Sequence, residues 1–227
     1  MKRLIIIVLA VCTINCSPIY HRYCCTNPFP PNNLMENYNV SIMEPGMPTM
    51  PRCGGTLLSH KNKLVILTAK HCVQDRNTRD VIRTIFIKTG KTLLKTKVIK
   101  TSELLDLALL EIIENKKEVQ VIFATRLSPV PPEKRDCVTT AGVPAGEEDT
   151  IVDGKVLIPV SQPTPAPNGS TTKYLILDIL AAKGFSGGGI YNKHGEIVGV
   201  GTAIIPGMRL LFATTHSDTK AFLDASL

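Results

Sequence analysis

Three residues of this 227-residue chain have the types and settings that nucleophilic hydrolysis requires. That chemistry needs a hydroxyl, a base that takes its proton, and a carboxylate that fixes the tautomer of the base. Ser186 lies in the glycine-rich segment 184–188, where backbone N–H groups can approach a developing oxyanion because side chains are missing. His71 ends an apolar run, and Asp106 begins another. Each residue alone is compatible with a structural role, but the three together favour a hydrolase.

The segments around these residues resemble the three signature segments of the trypsin/chymotrypsin-like serine proteases, in the order of that family. They read Thr-Ala-Lys-His-Cys at 68–72, Asp-Leu-Ala-Leu-Leu at 106–110 and Gly-Phe-Ser-Gly-Gly at 184–188. Asp178 and the segment 192–200 are similar to the single-chain Htr-type trypsin-like peptidases in particular. The resemblance covers about residues 50–225.

The resemblance implies a role for each residue. Ser186 would be the nucleophile, His71 the general base and then the general acid, and Asp106 the carboxylate that orients it. The backbone N–H groups of Gly184 and Ser186 would form the oxyanion hole. Digestive-type members carry an aspartate before the serine, which pairs with a newly cut N-terminus. Phe185 stands at that position here, so activation by that salt bridge is excluded.

Substrate preference follows from positions within the same resemblance. Leu180 falls near the base of the primary specificity pocket, with Thr202, Ala203 and Ile204 as the opposite wall. An apolar base leaves a buried Arg or Lys substrate side chain without a counter-charge. Glutamyl endopeptidases of the clan place a histidine where Gly201 stands, so acid specificity is also disfavoured. We therefore expect small or medium apolar residues on the acyl side of the cleaved bond.

Short β-rich runs separated by turn residues dominate the chain from Cys53 onwards. They predict an all-β protein with two antiparallel six-stranded barrels and a C-terminal helix, and a single β-sandwich is the alternative that periodicity leaves open. The resemblance implies the Greek-key, chymotrypsin-like arrangement, with the active site between the barrels. The predicted units are a signal peptide (1–16), an N-terminal arm (17–52), a first barrel (53–127), a connector (128–136), a second barrel (137–215) and the helix (216–227).

The N-terminus predicts export. Lys2 and Arg3 precede the apolar run 4–11, and small and polar residues follow, which is the layout of a secretory signal peptide. The run is far shorter than the roughly 20 residues that span a bilayer. We expect a secreted protein, extracellular or periplasmic, without stable membrane insertion after signal removal. Lipidation at Cys12 is an alternative, although the bulky Val11 beside it is the wrong residue.

The cysteines fit the same compartment, since seven of them suit an oxidising destination. We predict a disulfide between Cys53 and Cys72, because both flank one strand-turn-strand unit. One of Cys24 or Cys25 would reach Cys137, although sequence leaves this pairing open.

Charge and composition disfavour other classes. The net charge of +7 comes from scattered Lys and Arg rather than from a basic stripe, so nucleic acid is not an expected partner. The histidines show no paired ligand spacing, so we expect no metal and no cofactor, and the expected partner is a polypeptide substrate. An α/β-hydrolase needs an acid and a histidine well downstream of its serine, and few residues follow Ser186. The remaining alternative is a catalytically silent protease homologue that binds peptides or proteins.

Overall fold

The computed structural model describes residues 38–113, 124–148, 150–165 and 171–227. The predicted signal peptide, Cys12, Cys24, Cys25 and most of the predicted N-terminal arm lie outside the described residues. Within the described ranges, no helix is long and apolar enough to cross a membrane.

The first half of the chain forms a closed antiparallel barrel of six strands. Around the barrel the strand order is β1-β2-β3-β6-β5-β4, and β1 pairs with β4 to close it. Lys61 and Asn62 join β2 to β3 at φ 47° and 62°, the backbone of a tight two-residue hairpin turn. The strands are β1 (Asn39–Glu44), β2 (Met47–His60), β3 (Lys63–Ala69), β4 (Thr84–Thr89), β5 (Thr92–Ser102) and β6 (Leu107–Ile112).

The second half forms another closed antiparallel barrel, in the order β11-β14-β13-β12-β7-β8. A short hairpin of β9 and β10 lies outside it. The prediction of two six-stranded barrels is therefore confirmed, and the single β-sandwich is excluded. The strands are β7 (Cys137–Gly142), β8 (Thr150–Ile158), β9 (Thr164–Pro165), β10 (Thr171–Thr172), β11 (Tyr174–Asp178), β12 (Gly189–Tyr191), β13 (Ile197–Ile204) and β14 (Leu210–Thr214).

Part of the predicted N-terminal arm belongs to the first barrel. Residues 39–52 form β1 and the start of β2, so this barrel begins before Cys53. Val40 and Ile42 alternate inward along β1 and are buried in the barrel core. The surrounding Pro, Asn and Met residues concealed this short alternation in the sequence.

The predicted C-terminal helix, α1 (His216–Ser226), is present and reaches back to the first barrel. Thr215 caps it, its hydroxyl accepting a hydrogen bond from the Asp218 N–H at 3.1 Å. Phe222 and Leu223 are buried in the core cluster of the first barrel. The helix therefore packs the C-terminal part of the chain against the first barrel.

The two barrels meet backbone against backbone. The Gly54 N–H donates to the Ser186 carbonyl at 2.9 Å, and a Cβ on Gly54 would lie 3.0 Å from the Gly188 backbone. The Thr56 and Tyr191 hydroxyls, both buried, share a hydrogen bond of 2.6 Å. Because Gly54 has no side chain, the segment 184–188 of the second barrel packs directly against β2 of the first barrel.

Candidate active site

Strand pairing brings His71 and Asp106 together. His71 lies in the 3₁₀ turn Lys70–Val73 that follows β3, and Asp106 directly precedes β6, which pairs with β3. The His71 Nδ1 lies 2.7 Å from Asp106 Oδ2, and the His71 backbone N–H donates to Oδ1 at 3.0 Å. One residue thus occupies both oxygens of the carboxylate, which fixes the orientation of the imidazole and leaves its Nε2 for another partner.

Asp106 has an unusual backbone conformation, with φ at 52°. Aspartate tolerates the left-handed region better than most residues, but the conformation still needs support from its surroundings. The Lys70 N–H supplies it by donating to the Asp106 carbonyl at 2.9 Å. The backbone turn before β6 is therefore held by the same short segment that contains His71.

Ser186 approaches His71 from the second barrel. Its carbonyl lies 3.6 Å from the Sγ of Cys72, the residue that follows His71. Gly187, at φ 80°, has no room for a side chain, because a Cβ there would collide with the Thr68 hydroxyl and the Gly54 carbonyl. In the described part of the chain the Ser186 hydroxyl has no hydrogen-bond partner. Catalytic hydrogen bonds are often long until substrate is bound.

Within the described ranges, two backbone N–H groups of the segment 184–188 have no hydrogen-bond acceptor and are available to a ligand. Neither Gly184 nor Ser186 donates its backbone N–H to an acceptor among the described residues. The neighbouring N–H groups do have acceptors. Phe185 donates to the Ala182 carbonyl at 3.3 Å, and Gly187 donates to the Gly201 carbonyl at 2.7 Å. Paired free N–H groups next to a serine are the arrangement that stabilises an oxyanion.

The buried ring of Phe185 anchors this segment. Its side chain is only 2% exposed and covers Gly142, where a Cβ would lie 2.8 Å from the Phe185 Cα. The Val143 N–H donates to the Gly184 carbonyl at 3.1 Å. An apolar contact thus occupies the position where digestive-type members of the resembled family use an ion pair. Sequence reasoning missed Gly142, although a glycine ending the buried strand β7 was a signal.

A cavity of about 650 Å³ opens beside the His71–Asp106 pair. Two of the predicted pocket residues, Thr202 and Ala203, line this cavity together with His71 and Asp106. Ile204 packs against the core of the second barrel, and Leu180 is 62% exposed. Among the described residues the lining also includes Lys70, Gln74, Arg79, Glu103, Leu104, Leu105, Thr172, Lys173, Tyr174 and Thr214.

Charged and aromatic side chains shape this cavity. The buried Lys70 ammonium forms an ion pair with the exposed Glu103 carboxylate. Burial, and then the negative charge of Asp106, raise the pKa of Tyr174. The Tyr174 ring meets Phe212 edge to face at 5.6 Å, so its position is fixed by packing.

A disulfide joins the elements on either side of His71. Cys53 and Cys72 are bonded, with their Cα atoms 5.9 Å apart. Their sulfurs and a ring nitrogen of His71 lie within 4.8 Å of one another, but disulfide sulfurs do not offer the thiolate that binds a metal. Cys137 is disulfide-bonded too, and its predicted partners, Cys24 and Cys25, lie outside the described residues.

Comparison with known proteins identifies the family. The model of the Trypsin-like peptidase domain matches residues 53–200, which include His71, Asp106 and Ser186. The chain belongs to this family. The "Probable periplasmic serine protease do/HhoA-like" of Haemophilus influenzae is 26% identical to this trypsin-like peptidase domain over 154 residues, 67% of the chain. The chain spans about a third, 31%, of that relative's length.

Solved structures show the same fold. The active form of the Rv3671c protease from M. tuberculosis superposes with a TM-score of 0.67 and 17% identity, covering 87% of each chain. The inactive form of the Rv3671c protease gives 0.64 and 17%, covering 87% of this chain and 96% of that one. The resemblance to trypsin-like and Htr-type peptidases is confirmed by the family match and the relative.

Proposed function

We propose that this member of the trypsin-like peptidase family is a secreted serine endopeptidase that uses Ser186, His71 and Asp106. The observation that carries the proposal is the 2.7 Å contact between His71 Nδ1 and Asp106 Oδ2. It lies where the second barrel brings Ser186 and two free N–H groups against the first barrel. This combination of orienting acid, base, hydroxyl and oxyanion donors is what acyl transfer requires.

The first half of the reaction forms an acyl-enzyme. Asp106 accepts the Nδ1 proton of His71 in a hydrogen bond and stays ionised, so Nε2 can take the proton of the Ser186 hydroxyl. Ser186 Oγ then bonds to the scissile carbonyl carbon, and the oxyanion receives the N–H groups of Gly184 and Ser186. The C–N bond breaks when the imidazolium returns its proton to the leaving amine.

The second half of the reaction releases the acyl product. A water molecule loses a proton to the neutral His71 and adds to the acyl carbon, with the same two N–H groups holding the oxyanion. The Ser186 Oγ leaves with the proton that His71 gives back. The enzyme returns to its starting protonation state, and the net change is hydrolysis of one peptide bond.

The end of β13 is suited to hold the substrate backbone. Ala203 and Ile204 pair with β14 on one side. Among the described residues, the other side of β13 pairs with β12 only up to Val200. An extended peptide can add to such an open strand edge, beside the cavity that contains His71.

The space beside the nucleophile segment favours a small apolar residue on the acyl side. The Gly187 N–H donates to the Gly201 carbonyl at 2.7 Å, so Gly201 lies beside the segment that contains Ser186. A Leu211 methyl lies 3.6 Å from the Cβ position of Gly201 and fills that space. The three atoms nearest to this position are the Phe185 and Gly188 carbonyl oxygens and the Leu211 methyl, none of which belongs to a charged side chain, so a charged substrate residue would have no counter-charge among its nearest neighbours there.

Export is supported by three independent features. The signal-peptide layout of residues 1–16, the disulfide between Cys53 and Cys72, and the name of the periplasmic relative all suit an oxidising compartment.

Replacement of the nucleophile tests the proposal. Ser186→Ala should lower hydrolysis of an unstructured protein substrate by at least about 10³-fold, since the hydroxyl that forms the acyl bond is gone. Ser226→Ala, in the last turn of α1, is the matched control and should keep full activity. Hydrolysis that survives in Ser186→Ala would show a different nucleophile. Inactive wild-type protein that still binds peptides would support a silent homologue instead.

A further inference from the structure

Arg52 donates hydrogen bonds to two main-chain carbonyls, one within the turn that contains His71 and one directly after it. One of its terminal nitrogens, Nη2, donates to the His71 carbonyl at 2.9 Å, and the other, Nη1, donates to the Gln74 carbonyl at 2.8 Å. Gln74 directly follows the 3₁₀ turn Lys70–Val73. The carbonyls at the end of a helical turn have no partner within the turn, so an outside donor supplies the missing hydrogen bonds.

The guanidinium of Arg52 is itself fixed. Its side chain is only 10% exposed, and Glu44 of β1 lies 3.8 Å from it. Arg52 also directly precedes Cys53, which the disulfide ties to Cys72. Burial lowers the pKa of Arg52, while the neighbouring charge of Glu44 raises it, so the carboxylate offsets the cost of placing a cation here.

The backbone of His71 is thus held from two sides. Asp106 accepts its N–H at 3.0 Å, and Arg52 donates to its carbonyl. With both groups fixed, the direction of the imidazole depends on the turn as well as on its bond to Asp106. A planar, forked donor can bridge two carbonyls, whereas the point charge of a lysine can reach them less well.

We infer that Arg52 is a positioning residue for His71, acting through the backbone of the turn rather than by touching substrate. The inference rests on the proposed function, in which Nε2 of His71 must face Ser186. Small misplacements of a catalytic base are costly, with about 10²-fold lost for a shift of about 1 Å.

Kinetics of Arg52 variants provide the first test. Arg52→Met should lower kcat by about 10–100-fold with KM within about twofold, because binding is left intact while the base is misplaced. Arg52→Lys should fall between Arg52→Met and wild type. The matched control is Arg76→Met, since Arg76 also pairs with Glu44, at 2.6 Å, but is 60% exposed and, among the described residues, its side chain forms no hydrogen bond with the turn.

Arg76→Met should therefore match the wild type. The inference is overturned if Arg52→Met and Arg76→Met have the same kcat, or if Arg52→Met raises KM alone. Should Arg52→Met fail to fold, the Arg52→Lys variant carries the same comparison.

Spectroscopy tests the inference without relying on turnover. In ¹⁵N-histidine-labelled protein, the Nδ1 proton of His71, assigned by its loss in His71→Ala, reports the bond to Asp106. We expect this resonance in wild type and Arg76→Met, and its loss or broadening in Arg52→Met. An unchanged resonance in Arg52→Met contradicts the inference. A wild-type protein that shows the resonance but no hydrolysis refutes the proposed function alone.

Discussion

The Asp106 carboxylate accepts from the ring and the backbone of the same histidine. Its Oδ2 lies 2.7 Å from His71 Nδ1, and its Oδ1 accepts the His71 N–H at 3.0 Å. The proton on Nδ1 is held there because a carboxylate can only accept hydrogen bonds. Replacing one oxygen of this carboxylate by an amide nitrogen would reverse the direction of the hydrogen bond to Nδ1.

Asp106→Asn should lower kcat by about 10⁴-fold while the protein stays folded. The amide group can donate a hydrogen bond to Nδ1, which moves the ring proton to Nε2 and leaves no base for Ser186. Steady-state kinetics near neutral pH measure the effect, and Asp80→Asn, in an exposed loop, is the control. A kcat within tenfold of wild type would remove Asp106 from the mechanism.

Local sequence signals were sufficient to propose His71, Asp106 and Ser186 as a catalytic triad, because each lies in a short segment of characteristic composition. Arg52 and Gly142 could not be found in this way. The partners of Arg52 are main-chain carbonyls, which any residue provides, and Gly142 matters only because the Phe185 ring packs on it. Leu180 was assigned by position alone, and it is exposed in the structure.

The segment 184–188 depends on apolar packing from β7. Phe185 is buried over Gly142, and Val143 holds the Gly184 carbonyl at 3.1 Å. Among the described residues, the N–H groups of Gly184 and Ser186, on either side of Phe185, have no acceptor. The conformation of this segment therefore needs no cleaved N-terminus in the structure.

Phe185→Ala should affect activity beyond its effect on stability. Loss of either buried ring, Phe185 or Phe222, should lower the free energy of unfolding by about 3–5 kcal/mol, because each leaves a cavity. At a temperature where both variants remain folded, Phe185→Ala should also lose up to about 10²-fold in kcat, since an oxyanion donor is misplaced. Denaturant unfolding and kinetics measure the two effects.

Phe222→Ala is the matched control, because its ring packs in the first barrel core from α1. It should retain the kcat of the wild type. Equal kcat values for the two variants would show that Phe185 stabilises the fold without shaping the segment 184–188, the proposed oxyanion hole.

Strands were predicted well from the sequence where apolar residues form a continuous run, and poorly where the apolar pattern is short. β3 and β6 contain continuous buried runs, whereas β1 alternates only at Val40 and Ile42 within a polar, proline-containing segment. The order in which strands close each barrel is set by long-range pairing, which periodicity does not contain. It was expected from the family resemblance and is confirmed by the structure.

Contacts between the two barrels, and between the C-terminal helix and the first barrel, hold the whole molecule together. The buried hydroxyls of Thr56 and Tyr191 join the barrels at 2.6 Å. The helix α1, which follows the second barrel, packs on the first, and its Asp224 lies 3.0 Å from the His60 Nε2. Hydrogen bonds from Lys220 and then His60 lower the pKa of Asp224 to about 2.

The charge on Asp224 should make this fastening sensitive to acid. A carboxyl whose pKa is depressed by folding stabilises the protein above its unfolded pKa of about 4, and this contribution is lost as the pH falls through about 2. Wild type should therefore have a higher Tm than Asp224→Asn at pH 5, and the difference should shrink steeply as the pH falls from about 4 towards 2. Thermal unfolding across this range measures it. A difference that stays constant with pH would contradict the assigned ionisation.

Reaction with a fluorophosphonate probe, with the labelled peptide located by mass, tests the proposed chemistry most directly, because only an activated serine reacts quickly. The geometry predicts rapid labelling of Ser186 in the purified protein, without prior cleavage, and loss of that labelling in His71→Ala. Folded wild-type protein that remains unlabelled, or labelling of Ser186 that persists at full rate in His71→Ala, would contradict the assignment of an active serine peptidase.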